Sequence, residues 1–153
     1  MATTRRNAIT IRRASQNDAG AISALLDQLG YQVSPRESGE RIGAVVDQPD
    51  HCVLIAELGQ SVAGLIHAYI RSTLRVGQSV EIDCLICDEK HRGIGVAGAL
   101  LADVEDWSRR RQISAITLST NVRRAETHEY YRNRGFTEVK RSVVFQRSLD
   151  WLD

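Results

Sequence analysis

The run Asp88-Glu89-Lys90-His91-Arg92-Gly93-Ile94-Gly95-Val96-Ala97-Gly98-Ala99-Leu100-Leu101 constrains this chain more than any other segment. An apolar strand pattern, Val80 to Cys87, enters it. A helix pattern leaves it, from about Ile94 to Arg110, with Ala97, Leu100, Leu101, Val104 and Trp107 along one side. A glycine-rich turn between strand and helix exposes several backbone N–H groups that have no intrahelical acceptor. The helix dipole adds positive potential at the same place. Such a turn holds a phosphate or pyrophosphate. The basic cluster Arg109, Arg110, Arg111 closes the helix at the end where the dipole favours cations.

Two kinds of turn fit these letters. Gly93-Ile94-Gly95-Val96-Ala97-Gly98 is a G-x-G-x-x-G string, the dinucleotide fingerprint. The same stretch also reads Arg92-x-x-Gly95-x-Ala97. The order of elements separates the two. Ile9 to Arg13 reads as a first strand. Asn17-Asp18 opens a helix striped by Ala19, Ile22, Leu25, Leu26 and Leu29 and stopped by Gly30. Ser34-Pro35-Arg36-Glu37 starts a second helix, with Ser34 as N-cap, Pro35 in the first helical position and Glu37 closing a capping box. That helix has an apolar face at Ile42, Val45 and Val46 and ends at Pro49-Asp50. Cys52 to Leu58 and Val62 to Ile70 read as a hairpin about Gly59-Gln60. After Val80 to Cys87 and the long helix come a strand from Ile113 to Leu118, a helix from Arg124 to Arg134 stopped by Gly135, and a last strand from Val143 to Arg147. The order is β-α-α-β-β-β-α-β-α-β. It predicts an α/β (α+β) domain with a mixed, mostly antiparallel sheet, one parallel crossover and helices on both faces. A dinucleotide fold places its fingerprint after the first strand and an acid about 20 residues on. Here four strands precede the turn, and the next strand ends Leu118-Ser119-Thr120-Asn121 without an acid. A dinucleotide-dependent oxidoreductase is therefore the remote alternative.

Arg92-x-x-Gly95-x-Ala97 resembles the Q/R-x-x-G-x-G/A signature of the GCN5-related N-acetyltransferase (GNAT) superfamily, whose loop holds the pyrophosphate of coenzyme A. Glu81-Ile82-Asp83-Cys84-Leu85-Ile86-Cys87-Asp88 resembles that family's fourth strand. Ala125-Glu126-Thr127-His128-Glu129-Tyr130-Tyr131-Arg132-Asn133-Arg134-Gly135-Phe136 resembles its A-x-x-F-Y-E-K-L-G-F segment. Turn and segment stand a helix and a strand apart, as in that fold. The resemblance runs from Ile9 to about Arg147.

The resemblance implies acetyl-coenzyme A as co-substrate, with direct acetyl transfer to the primary amine of a small molecule or peptide. The pyrophosphate then sits on the amides of Arg92, Gly93, Ile94, Gly95, Val96 and Ala97, which Gly93 and Gly95 leave open to close approach. Arg92 adds charge. Leu85, Ile86 and Cys87 meet the pantetheine arm through the main chain, and one N–H there polarises the thioester carbonyl. Asn121, at the end of the fifth strand, contacts cofactor or substrate, and Arg124 stands where the family commonly has an asparagine. Tyr131 takes the family's place for a tyrosine acid, and a phenol of pKa about 10 suits a thiolate leaving group. Tyr130 reads as packing.

Glu81 and Asp83 lie two apart on a strand and share one face. Such a pair binds a cationic amine, and its mutual repulsion raises one pKa, so either carboxylate serves as the base. His128 is a rival base, against a plain surface role. His67 and the loop-borne Tyr31 are candidates to line the acceptor cleft. A non-catalytic coenzyme A–binding module of the same fold is the second alternative.

The bulk properties fit this reading. The chain has 153 residues, enough for a single domain over 1–153, with residues 1–8 expected to be flexible. Lys and Arg total 20 against 19 acids, interspersed, which points away from nucleic-acid and membrane-surface partners. No apolar run approaches the roughly 20 residues of a membrane span, and no h-region follows the basic N-terminus, so a cytoplasmic location is expected. Cys84-x-x-Cys87 sends its side chains to opposite faces of a strand, which argues against a metal site and for reduced, packed thiols. The family resemblance also implies a homodimer through the last strands.

Overall fold

The polar ends of β1 and α1 are tied by one buried carboxylate. A computed structural model describes residues 8–150, so all but the last residue of the segment expected to be flexible lies outside the described residues. β1 (Ile9–Arg13) leads through a 3-10 turn (Gln16–Asp18) into α1 (Ala19–Gln28). Asp18 is only 6% exposed. It accepts from both terminal nitrogens of Arg12, at 2.7 and 2.8 Å, and from the amide of Ser15 at 2.8 Å. Arg12 Nε also donates to Glu57 at 2.6 Å. Three donors hold the Asp18 carboxyl below the usual carboxylate range. α2 (Pro35–Val45) begins as expected, with Ser34 Oγ accepting from Glu37 N at 3.1 Å. The reciprocal half of the capping box is absent, and the Glu37 carboxylate lies 3.8 Å from Arg41 instead.

Residues up to Ser119 form one compact unit. Its sheet runs β1-β2-β3-β4-β5 in spatial order, with β2 (His51–Leu58), β3 (Ser61–Thr73), β4 (Gly77–Cys87) and β5 (Ile116–Leu118). Neighbours are antiparallel except β4 and β5, which pair parallel across the crossover helix α3 (Val96–Arg110). This is the mixed, mostly antiparallel sheet that the sequence predicts. Cross-strand pairs assign the faces. Ile55, Leu65 and Ile86 form one row, Val53, His67 and Cys84 the next, and His51, Tyr69 and Glu81 a third, all on the same side. The apolar end of that side packs under Ile22 and Leu25 of α1 and Ile42 of α2. α3 covers the opposite face with Val96, Leu100 and Val104, each 1% exposed or less.

Two local departures follow from backbone geometry. α3 begins at Val96 rather than Ile94 because Gly95 is its N-cap at φ +94°, outside the helical region. The fifth strand shortens to Ile116–Leu118, since Ile113 N donates to Ser108 O to close α3 and Gln112 sits at φ +59°.

From Thr120 onward the chain forms a second unit, whose described residues include the helix α4 (Ala125–Asn133). Gly135, at φ +88°, ends it, and Phe136 N returns to Tyr131 O at 3.0 Å. The strand expected over Val143 to Arg147 does not form. Val143, Val144 and Phe145 are 78, 89 and 91% exposed. A strand needs a ladder partner for its N–H and C=O groups, and none is provided within this unit.

The carboxylate of Asp18 generates a pH prediction. Its folded pKa lies below its unfolded value, so its stabilisation is present in full above about pH 4 to 5 and is lost as pH falls through the folded value. Arg12→Leu should destabilise the protein by about 2 kcal/mol or more at neutral pH, near the low end for an abandoned buried charge because Arg12 is partly exposed. Urea midpoints measured between about pH 3 and pH 7 should converge for the two proteins on the acid side. A constant gap across that range would contradict the assignment.

Candidate active site

The end of β4 and the start of α3 leave two sets of backbone groups without partners. β4 pairs β5 only through Val80, Glu81 and Ile82. Beyond them the β3 register slips, with His67 opposite Cys84 and Ala68 opposite Ile82, so Asp83 is the extra residue of a bulge. The phase of the ladder follows. Asp88 N donates to Ala63 O at 2.9 Å, which places Ile86 and Asp88 toward β3 and turns the main-chain groups of Leu85 and Cys87 to the open side. Thus Leu85 and Cys87 offer a free edge of the kind expected for the pantetheine arm, whereas the main chain of Ile86 is engaged by β3.

The α3 start supplies the second set. After a 3-10 turn (Glu89–His91), Arg92 is extended, Gly93 has φ +78° and Gly95 φ +94°. Ala99 N is the first amide of the helix to find a backbone acceptor, Gly95 O at 3.0 Å. Among the described residues, the amides from Arg92 to Gly98 have no hydrogen-bond acceptor. Arg92, Gly93, Ile94 and Gly95 are exposed. This is a cradle of unpaired donors at a helix N-terminus, and it fits a diphosphate.

Two residues that the sequence reading passed over hold the cradle in place. Gly64 of β3 lies under α3. A Cβ there would come within 2.7 Å of Val96 Cγ1 and 2.9 Å of Ile86 O, so only glycine lets the helix start approach the strand. Its signal, a lone glycine inside a strand pattern, was available. Gln28, at the end of α1, accepts from Glu89 N at 3.1 Å and donates to Asp88 Oδ1 at 3.3 Å, pinning the turn before the cradle.

The acidic pair sits on the α1–α2 side of the sheet, past the helices' apolar cover. Here the expectation of mutual repulsion is corrected. Arg71 approaches Glu81 at 3.5 Å and Thr117 Oγ1 donates to it at 3.4 Å, so that carboxylate is already engaged. Asp83, with its side chain 63% exposed, has His67 Nδ1 at 3.8 Å, and this neighbour holds its carboxyl below the usual range. Asp83 is lowered rather than raised. His67 is itself bonded to His51, Nε2 to Nδ1 at 2.9 Å, and Tyr69 stacks against His51. His51 and Tyr69 had no warrant from spacing, because they join this cluster only through cross-strand register. Tyr31 is 60% exposed at the end of α1. Cys84 and Cys87 do face opposite sides of the sheet, and burial pushes the Cys84 thiol up to about 12.

In the second unit, Asn121 is spent locally. Its Oδ1 accepts from Arg123 N at 2.9 Å, and its carbonyl accepts from Arg124 N at 3.0 Å and meets His128 Nε2 at 2.9 Å. His128 therefore serves the start of α4, the surface role weighed against a catalytic one. Tyr131 packs edge-on against Phe136 and Tyr130, and Arg134 lies over the Tyr130 ring.

These features predict that Gly64→Ala will weaken coenzyme A binding through a shifted helix start and cost about 1–3 kcal/mol of stability from overpacking. Gly95→Ala should weaken binding with a smaller stability loss, about 1–2 kcal/mol for a left-handed alanine. Calorimetric titration and thermal unfolding of both variants check this, and a Gly64→Ala protein with unchanged affinity would contradict it.

Comparison with known proteins agrees with the geometry. The sequence profile of the Acetyltransferase (GNAT) family matches residues 20–136. An aminoglycoside N(6')-acetyltransferase type 1 from Stenotrophomonas maltophilia is 27% identical, over 94% of this chain and 96% of its own. The aminoglycoside N-acetyltransferase AAC(6')-Iy in complex with CoA superposes with a TM-score of 0.84 at 18% identity, covering 95% of this chain and 98% of its own. A transcriptional regulator from Bacillus halodurans superposes with a TM-score of 0.82 at 17% identity, covering 92% and 100%. With a cradle for a diphosphate, a free strand edge beside it and the family's profile across most of its length, the chain belongs to the acetyltransferase (GNAT) family and is an acetyl-coenzyme A–dependent N-acetyltransferase.

Proposed function

We propose that this chain, acting as a single acetyltransferase domain, moves an acetyl group directly to a primary amine of a cationic small molecule of the aminoglycoside or polyamine class. The observation that carries the acceptor class is Asp83. It is an exposed carboxylate, held ionised, one residue past the last β4–β5 pair and two before the free main chain of Leu85. An ammonium attracted there lies beside the open strand edge. The curated relative acts on an aminoglycoside by its name, and its match spans nearly the whole chain, which supports the same class here.

In this reading the amides of Arg92 to Ala97 hold the diphosphate, and Arg92 adds a cation beside it. The amides of Leu85 and Cys87 hold the arm, and one polarises the thioester carbonyl. Bound acetyl-coenzyme A supplies the activated acyl group. Asp83 orients the amine, with Glu81 setting the negative potential of the same face. By the family resemblance, Tyr131 is the acid that returns a proton to the departing thiolate.

Thiol release with neamine, spermidine and an alanine-ended peptide tests this. The two cationic small molecules should be turned over with kcat/KM well above that of the peptide, and preference for the peptide would overturn the acceptor class. Asp83→Asn should raise the amine KM about 5- to 30-fold, the loss of a charge-assisted bond of 1–2 kcal/mol. Tyr131→Phe should lower kcat about 10²-fold or more with intact coenzyme binding. An unchanged kcat would remove Tyr131 from the mechanism.

A further inference from the structure

Glu81 is engaged by Arg71 and Thr117, and Asp83 is held below the ordinary carboxylate range, so Asp83 is a poor proton acceptor and the Glu81 carboxylate already has its partners. The group beside them that suits the task is an imidazole. His67 stands on β3, half-buried, in the row between Val53 and Cys84. Its Nε2 is 2.9 Å from Nδ1 of His51, and the two rings meet edge to edge, nearly coplanar at 25°, with centroids 5.2 Å apart. Its Nδ1 faces Asp83 at 3.8 Å.

This contact has a chemical consequence. A hydrogen bond between two ring nitrogens requires one N–H and one lone pair, so the His51–His67 pair cannot hold both rings fully protonated with the contact intact. The pair has two tautomers: in one, His67 Nδ1–H points at the Asp83 carboxylate, and in the other His67 Nε2 carries the hydrogen, His51 Nδ1 accepts it and the His67 lone pair lies on Nδ1, so an ammonium arriving between Nδ1 and Asp83 selects the second. The separation of 3.8 Å is longer than a direct hydrogen bond. It leaves the carboxylate and the ring nitrogen able to share a third group between them, and an ammonium has N–H donors for both.

We propose that His67 is the general base of this acetyltransferase and that His51 is its positioning residue. The inference rests on the acetyl-transfer reading above and deepens it. The acceptor ammonium donates one N–H to Asp83 and another to His67 Nδ1. The second N–H bond breaks, its electron pair stays on the substrate nitrogen, and a new N–H bond forms at Nδ1. The imidazolium so produced is stabilised by Asp83 on one side and by the His51 lone pair on the other. The neutral amine is then the nucleophile. Among the described residues, the ionisable groups that contact the two rings or share their rows are Tyr69 on β3 and Glu81, Asp83 and Cys84 on β4, with Arg71 of β3 paired to Glu81, while the apolar packing of α1 and α2 centres on Val53, Ile55, Leu65 and Ile86. Burial and the nearby acids push the Tyr69 phenol up, and burial does the same to the Cys84 thiol, so both stay neutral through the range in which a histidine titrates.

Two measurements test this. Long-range nitrogen–proton NMR of the full-length protein saturated with neamine, without acetyl-coenzyme A, should show His67 carrying its hydrogen on Nε2, and His51→Phe should convert it to a mixture of tautomers. In thiol release with neamine, His67→Gln should lower kcat about 10²-fold or more. His51→Phe should lower kcat with little change in KM and shift the rising limb of the kcat/KM profile, and His51→Gln, which restores an acceptor oxygen, should recover part of the loss. A His67 tautomer and pH profile indifferent to His51→Phe would overturn the proposal, as would a His67→Gln enzyme with the parent pH profile. The NMR arm separates the two failures. A parent protein that releases no thiol with any amine brings down the acetyl-transfer reading, whereas an unaltered tautomer brings down the histidine pair alone.

Discussion

The architecture depends on unsatisfied backbone. Nearly all buried main-chain donors in a folded chain find partners, and a run of amides without them is affordable only where solvent or a ligand can reach. Here seven successive residues, Arg92 to Gly98, lack acceptors for their amides, and Leu85 and Cys87 turn theirs away from β3. Both sets are created by the same geometry. The bulge at Asp83 follows the last pair of β4 with β5, and the left-handed glycines deliver the start of α3 beside Gly64, opposite the end of β4. Gly64 keeps the helix start down on the sheet. A long, anionic, amide-bearing ligand matches this array end to end, which is why the fold and the coenzyme are hard to consider apart.

The bulge does a second thing. By adding one residue to β4 it sets Asp83 and Cys84 both against His67, so an exposed carboxylate comes beside an imidazole that a regular ladder would place elsewhere. One irregularity thus opens the strand edge on one side and assembles the polar face on the other. The helices α1 and α2 stop short of this face, covering Val53 and Ile55 but leaving the His51–Tyr69–Glu81 row beyond their apolar packing.

Much of this was legible in the sequence, and the parts that were not share a cause. Periodicity located the helices and the hairpin, and Gly93 and Gly95 announced the cradle, because these signals are local. Glu81 and Asp83 are legible by their spacing, but their partners are not, since Arg71, Thr117 and His67 reach them across strands. His51 and Tyr69 were missed for the same reason: register, not spacing, brings them to His67. Gly64 has a local signature, but its meaning requires the helix that lies over it. The strand pattern at Val143 to Arg147 is a true propensity without a partner in its unit, and propensity alone does not make a ladder.

The claim on which all else rests is that the amides at the α3 start bind the diphosphate. Titration of nitrogen-15-labelled protein with coenzyme A, followed amide by amide, tests it directly. The account predicts that the Gly93, Gly95, Val96 and Ala97 resonances move together and saturate with a single affinity, as charge-assisted hydrogen bonds form. Saturable binding that leaves those four amides unmoved would contradict it.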